Sequence, residues 1–233
     1  MATVLDEKTI QEMAKAGVIY GHKKSKTHPK MRPYIAGQKN EFEVIDPQAT
    51  INGLEKAVEF LKEKVKVRPT GEKGVLLLVG THPAAKPPIE NFAQEFKFPY
   101  VTNRWLGGTL TNFKVINDRR VYYENLKNQQ EKGLLSKYTK KEQLEFGREI
   151  EKLSQNFDGL HELTKIPDAI FVVDIKEHET AVREAQKTRV PIVAIVDTDD
   201  EATKVEYPIF ANDHARLSIE WVIDRVKEEL KNN

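Results

Sequence analysis

The chain has 233 residues, of which 39% are hydrophobic and 31% are charged, a composition typical of a folded globular protein. It contains no cysteine, which excludes disulfides and cysteine-ligated metals. It has no apolar run long enough for a membrane span, and the N-terminal residues have no apolar run of the kind found in signal peptides. We therefore expect a cytoplasmic protein that does not enter a membrane.

The net charge is only +1, but the charges are unevenly distributed. Residues 21–40, here called the basic segment, hold six lysines and arginines and no acidic residue. The rest of the chain then has 31 basic against 36 acidic residues, a net charge of −5. A polyanion would meet one local patch rather than a generally basic protein.

The first predicted elements are a short helix and a pair of strands. Residues 5–16 have apolar residues at helical spacing, and Gly17 is a typical residue just past a helix end. Residues 34–45 resemble two short strands about a loop that contains Gly37. The basic segment lies between the helix and the end of these strands.

A long amphipathic helix is predicted next. Asp46 is a suitable N-cap and Pro47 suits the first helical position. Apolar residues then recur every three or four positions as far as Val65, so one face of this helix is expected to be buried.

Three apolar runs predict buried parallel strands within residues 74–80, 168–174 and 190–197. A parallel sheet that is covered on both faces requires such continuous apolar strands. Helical patterns follow the first two runs, and an amphipathic helix is predicted over residues 213–230. We assign the fold class as α/β, with a Rossmann-like (flavodoxin-like) parallel sheet.

Residues 113–163 interrupt the alternation of strands and helices. Their apolar residues alternate spacings of four and three, as in a coiled-coil seam. Thr139 and Glu142 match a capping box at the start of a second helix. We predict a coiled-coil helical hairpin that protrudes by roughly 30 Å. The predicted domains are the hairpin, residues 113–163, and an α/β body, residues 1–112 and 164–233.

The basic segment is the first candidate binding site. Its cations are interleaved with histidine, methionine and tyrosine, and Pro29 and Pro33 stiffen its backbone, so little entropy would be lost on binding. We favour phosphate binding over the alternative of a solvated charged loop. The candidate RNA-binding residues here are Lys23, Lys24, Lys26, His28, Lys30, Arg32 and Lys39.

The stretch NRWLGGTLTN, residues 103–112, is the second candidate. Gly107 and Gly108 permit backbone conformations and close approaches that other residues do not. Arg104 and Trp105 supply a charge and a broad aromatic face, and we add both to the RNA-binding candidates. Two roles are equally open for Trp105, which are stacking on RNA and burial at the root of the hairpin.

An enzymatic reading rests on acidic residues at predicted strand ends. Asp174 and Asp197 end their strands, and Asp199 and Asp200 follow, where paired carboxylates could hold Mg²⁺. Aspartate at a strand end also serves as a turn former or helix cap, and no nucleophile motif accompanies these residues. We therefore expect no catalytic residue and no small-molecule substrate.

Metal and nucleotide motifs are also lacking. His22, His28 and His214 with Asp213 have none of the tight spacings of zinc ligands. The stretch VGTHPAAK lacks both glycine-rich phosphate motifs. We expect neither a metal nor a cofactor.

Five stretches of the chain resemble one protein family. AGVIYGHKKSKTHPKMRPYI is similar to the N-terminal signature of the bacterial small ribosomal subunit protein two family, and NRWLGGTLTNF matches its most characteristic stretch nearly without change. IPDAIFVVD, VPIVAIVDT and YPIFANDHARLSIEWV add matches in the same order, so the resemblance covers essentially the whole chain. The chain departs from the family at residues 199–202, which are Asp-Asp-Glu-Ala where members usually have Asn-Cys-Asp-Pro.

The resemblance implies a structural constituent of the small ribosomal subunit rather than an enzyme. Its expected partners are small-subunit ribosomal RNA, neighbouring ribosomal proteins and a large multi-OB-fold ribosomal protein. Two other functions serve as alternatives. They are a Mg²⁺-dependent hydrolase that uses Asp197 and a hairpin scaffold that binds proteins alone.

Overall fold

The computed structural model describes residues 6–66 and 74–232. Within these ranges, a three-stranded antiparallel sheet has the order β1-β3-β2 and a five-stranded parallel sheet has the order β5-β4-β6-β7-β8. The strands are β1 (Tyr20–Lys23), β2 (Ile35–Lys39), β3 (Phe42–Ile45), β4 (Leu76–Val79), β5 (Tyr100–Val101), β6 (Ala169–Val173), β7 (Ile192–Val196) and β8 (Tyr207–Phe210). The α-helices are α1 (Glu7–Ala16), α2 (Pro47–Val65), α3 (Lys86–Phe96), α4 (Phe113–Glu131), α5 (Lys140–Phe157), α6 (Glu179–Thr188) and α7 (Arg216–Lys231).

The parallel sheet is covered on both faces, which explains its continuous apolar strands. Leu76 and Leu78 of β4 pack in one apolar cluster with residues of α2, α3 and α7. Leu77 and Val79 point the other way and pack in a second cluster. Every residue of β4, β6 and β7 is buried. The predicted Rossmann-like α/β class is confirmed.

Local sequence signals predicted several helix ends correctly. Gly17 has φ +78°, and its N–H donates to the carbonyl of Ala14, as expected for a residue that ends α1. Asp46 accepts a hydrogen bond from the N–H of Gln48, 3.0 Å away, at the start of α2. The capping box of Thr139 and Glu142 begins α5. Of the first predicted helix, Leu5 lies outside the described residues.

The turn between β2 and β3 is not where the sequence predicted it. The loop was expected at Gly37, but Gly37 lies within β2, opposite Val44. The chain reverses at Asn40 and Glu41, whose φ values are 50° and 69°. Asparagine tolerates this left-handed conformation, and a two-residue turn of that hand suits the twist of a hairpin.

Helices α4 and α5 contact each other, and their bases pack on the body. The hydroxyl of Tyr122 donates to Oε1 of Glu149, 3.2 Å away, and the ring centroids of Tyr123 and Phe157 are 6.4 Å apart. Tyr123, Phe157 and Leu160 are buried in the cluster that also contains Leu77 and Val79 of the sheet. The protrusion of this helix pair and the domain boundaries at residues 113 and 163 stay predictions.

Candidate nucleic-acid interface

The basic segment is held against the carboxyl end of β7. The N–H of His22 donates to Oγ1 of Thr198, and the N–H of His28 donates to the Thr198 carbonyl, both over 2.8 Å. The side-chain amide of Asn212 donates to the carbonyl of Tyr20 over 2.5 Å. The backbone of the segment is therefore positioned by residues near the other end of the chain.

Gly21 permits this close approach. A Cβ atom built at Gly21 would lie 2.4 Å from Cγ2 of Thr198 and 2.8 Å from Oδ1 of Asp197. These separations are shorter than van der Waals contact, so a larger residue would force the segment away from β7.

The apolar residues of the basic segment serve its packing. Met31 is fully buried, and the ring of Tyr34 stacks on Phe210 with centroids 3.9 Å apart. His28, one of the predicted RNA ligands, is half-buried, and its Nδ1 accepts from the N–H of Lys30 at 3.3 Å as the cap of a short 3₁₀ helix. These contacts hold the intervening cations on the surface.

Three of the predicted cations already have partners. Nζ of Lys23 lies 3.2 Å from a carboxylate oxygen of Glu41, and Nζ of Lys30 lies 2.6 Å from one of Glu201. Nζ of Lys39 lies 5.7 Å from the ring centroid of Tyr20. Exposed pairs of this kind contribute little free energy, so a phosphate could replace the carboxylates.

The other cations are more accessible. Lys24, Lys26 and Arg32 are exposed, and their side chains make no hydrogen bond or ion pair with any residue that the structure describes. Arg104, in the second candidate stretch, is likewise exposed and unpaired among the described residues. These four charges are immediately available to a polyanion.

The second candidate stretch is organised by Glu184 of α6, a residue that no sequence motif indicated. Only 8% of Glu184 is exposed. Its carboxylate accepts hydrogen bonds over 2.7–3.2 Å from Nε1 of Trp105, the N–H groups of Gly108, Leu110 and Thr111, and the hydroxyl of Thr111. Burial acts to raise the pKa of this carboxyl, but the hydrogen bonds outweigh burial and lower it below its ordinary value.

Trp105 therefore has a structural contact. The side chain is half-buried, its indole N–H is bound to Glu184, and its ring packs on the apolar cluster that contains Met31. This burial agrees with one of the two roles that the sequence left open for Trp105. Stacking of Trp105 on RNA stays a prediction.

The carboxyl ends of the strands bring together histidines and aspartates that are distant in sequence. Nδ1 of His22 lies 3.0 Å from Oδ2 of Asp197 and 3.3 Å from Oδ1 of Asp199. The hydrogen bond to Asp197 raises the pKa of His22. Nδ1 of His214 lies 2.5 Å from Oδ1 of Asp213, and this contact raises the pKa of His214 to about 9.

This cluster has the chemistry to hold a cation. Ligand atoms of His22, Asp197 and His214 lie within 4.8 Å of one another, and so do those of Asp174, Asp213 and His214. Imidazole with carboxylate suits a divalent transition metal. Close spacing in the sequence could not reveal these groups, because the fold assembles them from residues that are distant along the chain. The expected absence of metal ligands stays a prediction.

Among the described residues, no helix is both long enough and apolar enough to cross a membrane. The contacts described above define a protein with a Rossmann-like α/β fold, which presents an ordered basic segment at the carboxyl edge of its sheet.

Sequence comparisons define the family. The model of the family described as "Ribosomal protein S2" matches residues 13–232. The chain is similar to three proteins named "Small ribosomal subunit protein uS2". The relative from Coprothermobacter proteolyticus is 37% identical over 95% of this chain and 81% of its own length. Those from Dictyoglomus thermophilum and Roseiflexus sp. are each 39% identical, over 95% and 94% of this chain and 88% and 82% of their own lengths.

The chain belongs to the ribosomal protein S2 family, which confirms the resemblance of its motifs. Members of this family are structural proteins rather than enzymes. The hydrolase alternative built on Asp197 is therefore wrong.

Proposed function

We propose that this chain is a structural component of the small ribosomal subunit that binds small-subunit ribosomal RNA through its basic segment. It works in the cytoplasm, within the ribosome, and contacts neighbouring ribosomal proteins, among which a large multi-OB-fold protein is a candidate. The names of its relatives support this role. One observation carries the RNA assignment. Lys24, Lys26 and Arg32 are exposed and have no ion partner among the described residues, and Thr198 holds the backbone of their segment.

The order of the segment favours folded RNA as its ligand. A segment that is already ordered loses little conformational entropy when it binds. The segment has no long recognition helix, since its helical parts are the 3₁₀ turns Lys24–Lys26 and Pro29–Tyr34. Such a surface suits contacts to phosphates and to the shape of RNA rather than readout of bases in a duplex groove.

A salt titration tests the assignment. If the three unpaired cations each neutralise one phosphate, affinity for a small-subunit rRNA fragment should fall about 40-fold between 50 and 200 mM salt, and if all six cations take part it should fall about 10³-fold. The double substitution Lys24→Gln and Lys26→Gln should lower the slope of log affinity against log salt by about two.

A matched control removes the same charge elsewhere. Lys56 and Lys187 are exposed on α2 and α6, so the double substitution Lys56→Gln and Lys187→Gln should leave the slope unchanged. An affinity that does not respond to salt, or equal slopes for the two double variants, would rule out the basic segment as the RNA contact.

Assembly provides a second test. Replacing Lys23, Lys24 and Lys26 by glutamate should reduce incorporation into small subunits while the unfolding midpoint stays close to that of the native chain, because exposed substitutions cost little stability. Normal incorporation of the folded variant would contradict the proposal. Association that depends on α4 and α5 and resists ribonuclease would instead support the protein-only scaffold.

A further inference from the structure

A groove of 580 Å³ lies between α2 and the edge strand β8. The residues that line it include none of the cations of the basic segment. We call it the α2–β8 groove. Its apolar floor is formed by Tyr34, Phe60, Tyr207, Pro208 and Phe210. Its acidic rim is formed by Asp46, Glu59, Glu63 and Glu206. Its volume suits a few side chains rather than a whole domain.

The aromatic floor consists of two stacked pairs of rings and is partly open. Tyr34 stacks on Phe210 with ring centroids 3.9 Å apart, and Phe60 stacks on Tyr207 with centroids 4.0 Å apart. Tyr34 and Tyr207 are only half-buried, so part of each ring faces the groove. Exposed aromatic faces bind guanidinium groups by stacking and by cation–π attraction.

The rim carries an excess of negative charge. Against its four carboxylates, Lys56 is the one cation among the described residues that line the groove. Lys64 lies nearby, with its Nζ 3.7 Å from Oε1 of Glu63 and 5.5 Å from the ring centroid of Phe60, so two cations face four carboxylates. Hydrogen bonds from the N–H groups of Gln48 and Ile192, over 3.0 and 2.9 Å, position the carboxylates of Asp46 and Glu206. Glu59 is exposed and makes no hydrogen bond or ion pair with any described residue.

The backbone of β8 is not free to pair with another strand. The carbonyl of Phe210 accepts a hydrogen bond from the hydroxyl of Thr50 on α2, 2.6 Å away. Gly53 of α2 approaches the carbonyl of Pro208 so closely that a Cβ atom there would lie 2.5 Å from it. Because α2 covers these outward carbonyls, an occupant of the groove must bind through side chains rather than by strand addition.

We propose that the α2–β8 groove binds a segment of a neighbouring ribosomal protein that inserts arginine side chains between the acidic rim and the aromatic floor. The inference rests on the proposed function, which places the chain beside other ribosomal proteins. Charge complementarity favours a basic protein segment over RNA, because the four rim carboxylates would repel phosphate.

A peptide titration tests the groove on the isolated full-length chain. The probe is a fluorescent peptide of sequence Arg-Val-Arg-Val-Arg, with Lys-Val-Lys-Val-Lys for comparison. The double substitution Glu59→Gln and Glu63→Gln should weaken binding of the arginine peptide by about fivefold or more, since it removes two rim charges. The arginine peptide should also bind more tightly than the lysine peptide, because guanidinium groups stack on aromatic rings.

The matched control is the double substitution Glu145→Gln and Glu151→Gln, which removes two exposed carboxylates from α5. It should leave the affinity of the arginine peptide unchanged. No binding of the peptide, or equal weakening in both double variants, would overturn the proposal. This test does not require assembly, so it separates the groove from the proposed function.

Cross-linking in assembled small subunits identifies the occupant. A photo-reactive residue in place of Asn52, which is exposed and lines the groove, should form adducts with an arginine-containing segment of another ribosomal protein. The same residue in place of Lys187 on α6 should not label that segment. If the chain assembles but the probe at position 52 labels only RNA or forms no adduct, the groove proposal fails while the proposed function stands.

Discussion

The indole Nε1 of Trp105 donates a hydrogen bond to Oε1 of Glu184, 3.1 Å away, and joins the candidate RNA-binding stretch to α6. The same carboxylate accepts from three backbone N–H groups of residues 108–111. One buried side chain therefore anchors the backbone of residues 108–111 and the ring of Trp105, the sequence neighbour of Arg104.

Replacing Glu184 by glutamine should lower the free energy of unfolding by about 3 kcal/mol. The amide has one acceptor oxygen in place of two, so buried backbone donors lose their partners, at about 1–3 kcal/mol each. Urea denaturation measures the change. Glu179→Gln, on the exposed face of the same helix, is the control and should change stability by less than about 0.5 kcal/mol. Equal effects of the two substitutions would show that Glu184 does not organise the stretch.

The contribution of Glu184 should also depend on pH. Its pKa is lower in the folded protein than its ordinary value, so the folded state binds this proton less tightly than the unfolded chain. The stabilisation is present above about pH 4.5 and is lost as the pH falls through the folded-state pKa. The difference in unfolding free energy between the native chain and Glu184→Gln should therefore shrink between about pH 6 and about pH 3. A constant difference in urea titrations would contradict this origin of the shift.

Gly21→Ala should weaken both stability and RNA binding. The added methyl group would overlap Thr198 and Asp197 and push the basic segment from β7. We expect a loss of about 1–3 kcal/mol in thermal or urea unfolding, together with weaker binding of an rRNA fragment. Gly37→Ala is the control, since a Cβ atom at Gly37 meets nothing within 4 Å among the described residues. A variant at Gly21 that behaves like the one at Gly37 would show that the contact is unimportant.

Two deletions should separate the outer part of the α4–α5 pair from its base. Replacing residues 128–152 by a short glycine–serine linker should leave the body folded, because Tyr123 and Phe157 are retained. Replacing residues 113–163 should destabilise it strongly, because Tyr123, Phe157 and Leu160 leave the shared core. Circular dichroism and thermal unfolding measure both. Equal stability of the two deletions would support a hairpin independent of the body.

The sequence predicted elements whose signals are local. The apolar runs located β4, β6 and β7, and caps at Asp46 and Thr139 located helix starts, because these patterns need only neighbouring residues. Strand β5 is two residues long and offered no periodicity to detect. The turn at Asn40 was misplaced because glycine is the stronger general turn signal, although asparagine met the geometric need here.

The organisation of the site could not be predicted in the same way. Glu184 lies 73–79 residues from its hydrogen-bond partners, and within an amphipathic helix it looks like any other glutamate. The cations of the basic segment were visible in the sequence. Which of them have carboxylate partners was not, because the pairing of Lys30 with Glu201 is created by the fold.

The contact between His22 and Thr198 has a consequence for how the protein is made. Thr198 follows His22 by 176 residues, so the positively charged stretch is synthesised well before the residue that orders it. At about 5–20 residues per second, roughly 10 to 35 s of elongation separates the two. For most of its synthesis the nascent chain therefore lacks the ordered arrangement of these cations, so the proposed contact with RNA would form only when the polypeptide is nearly complete.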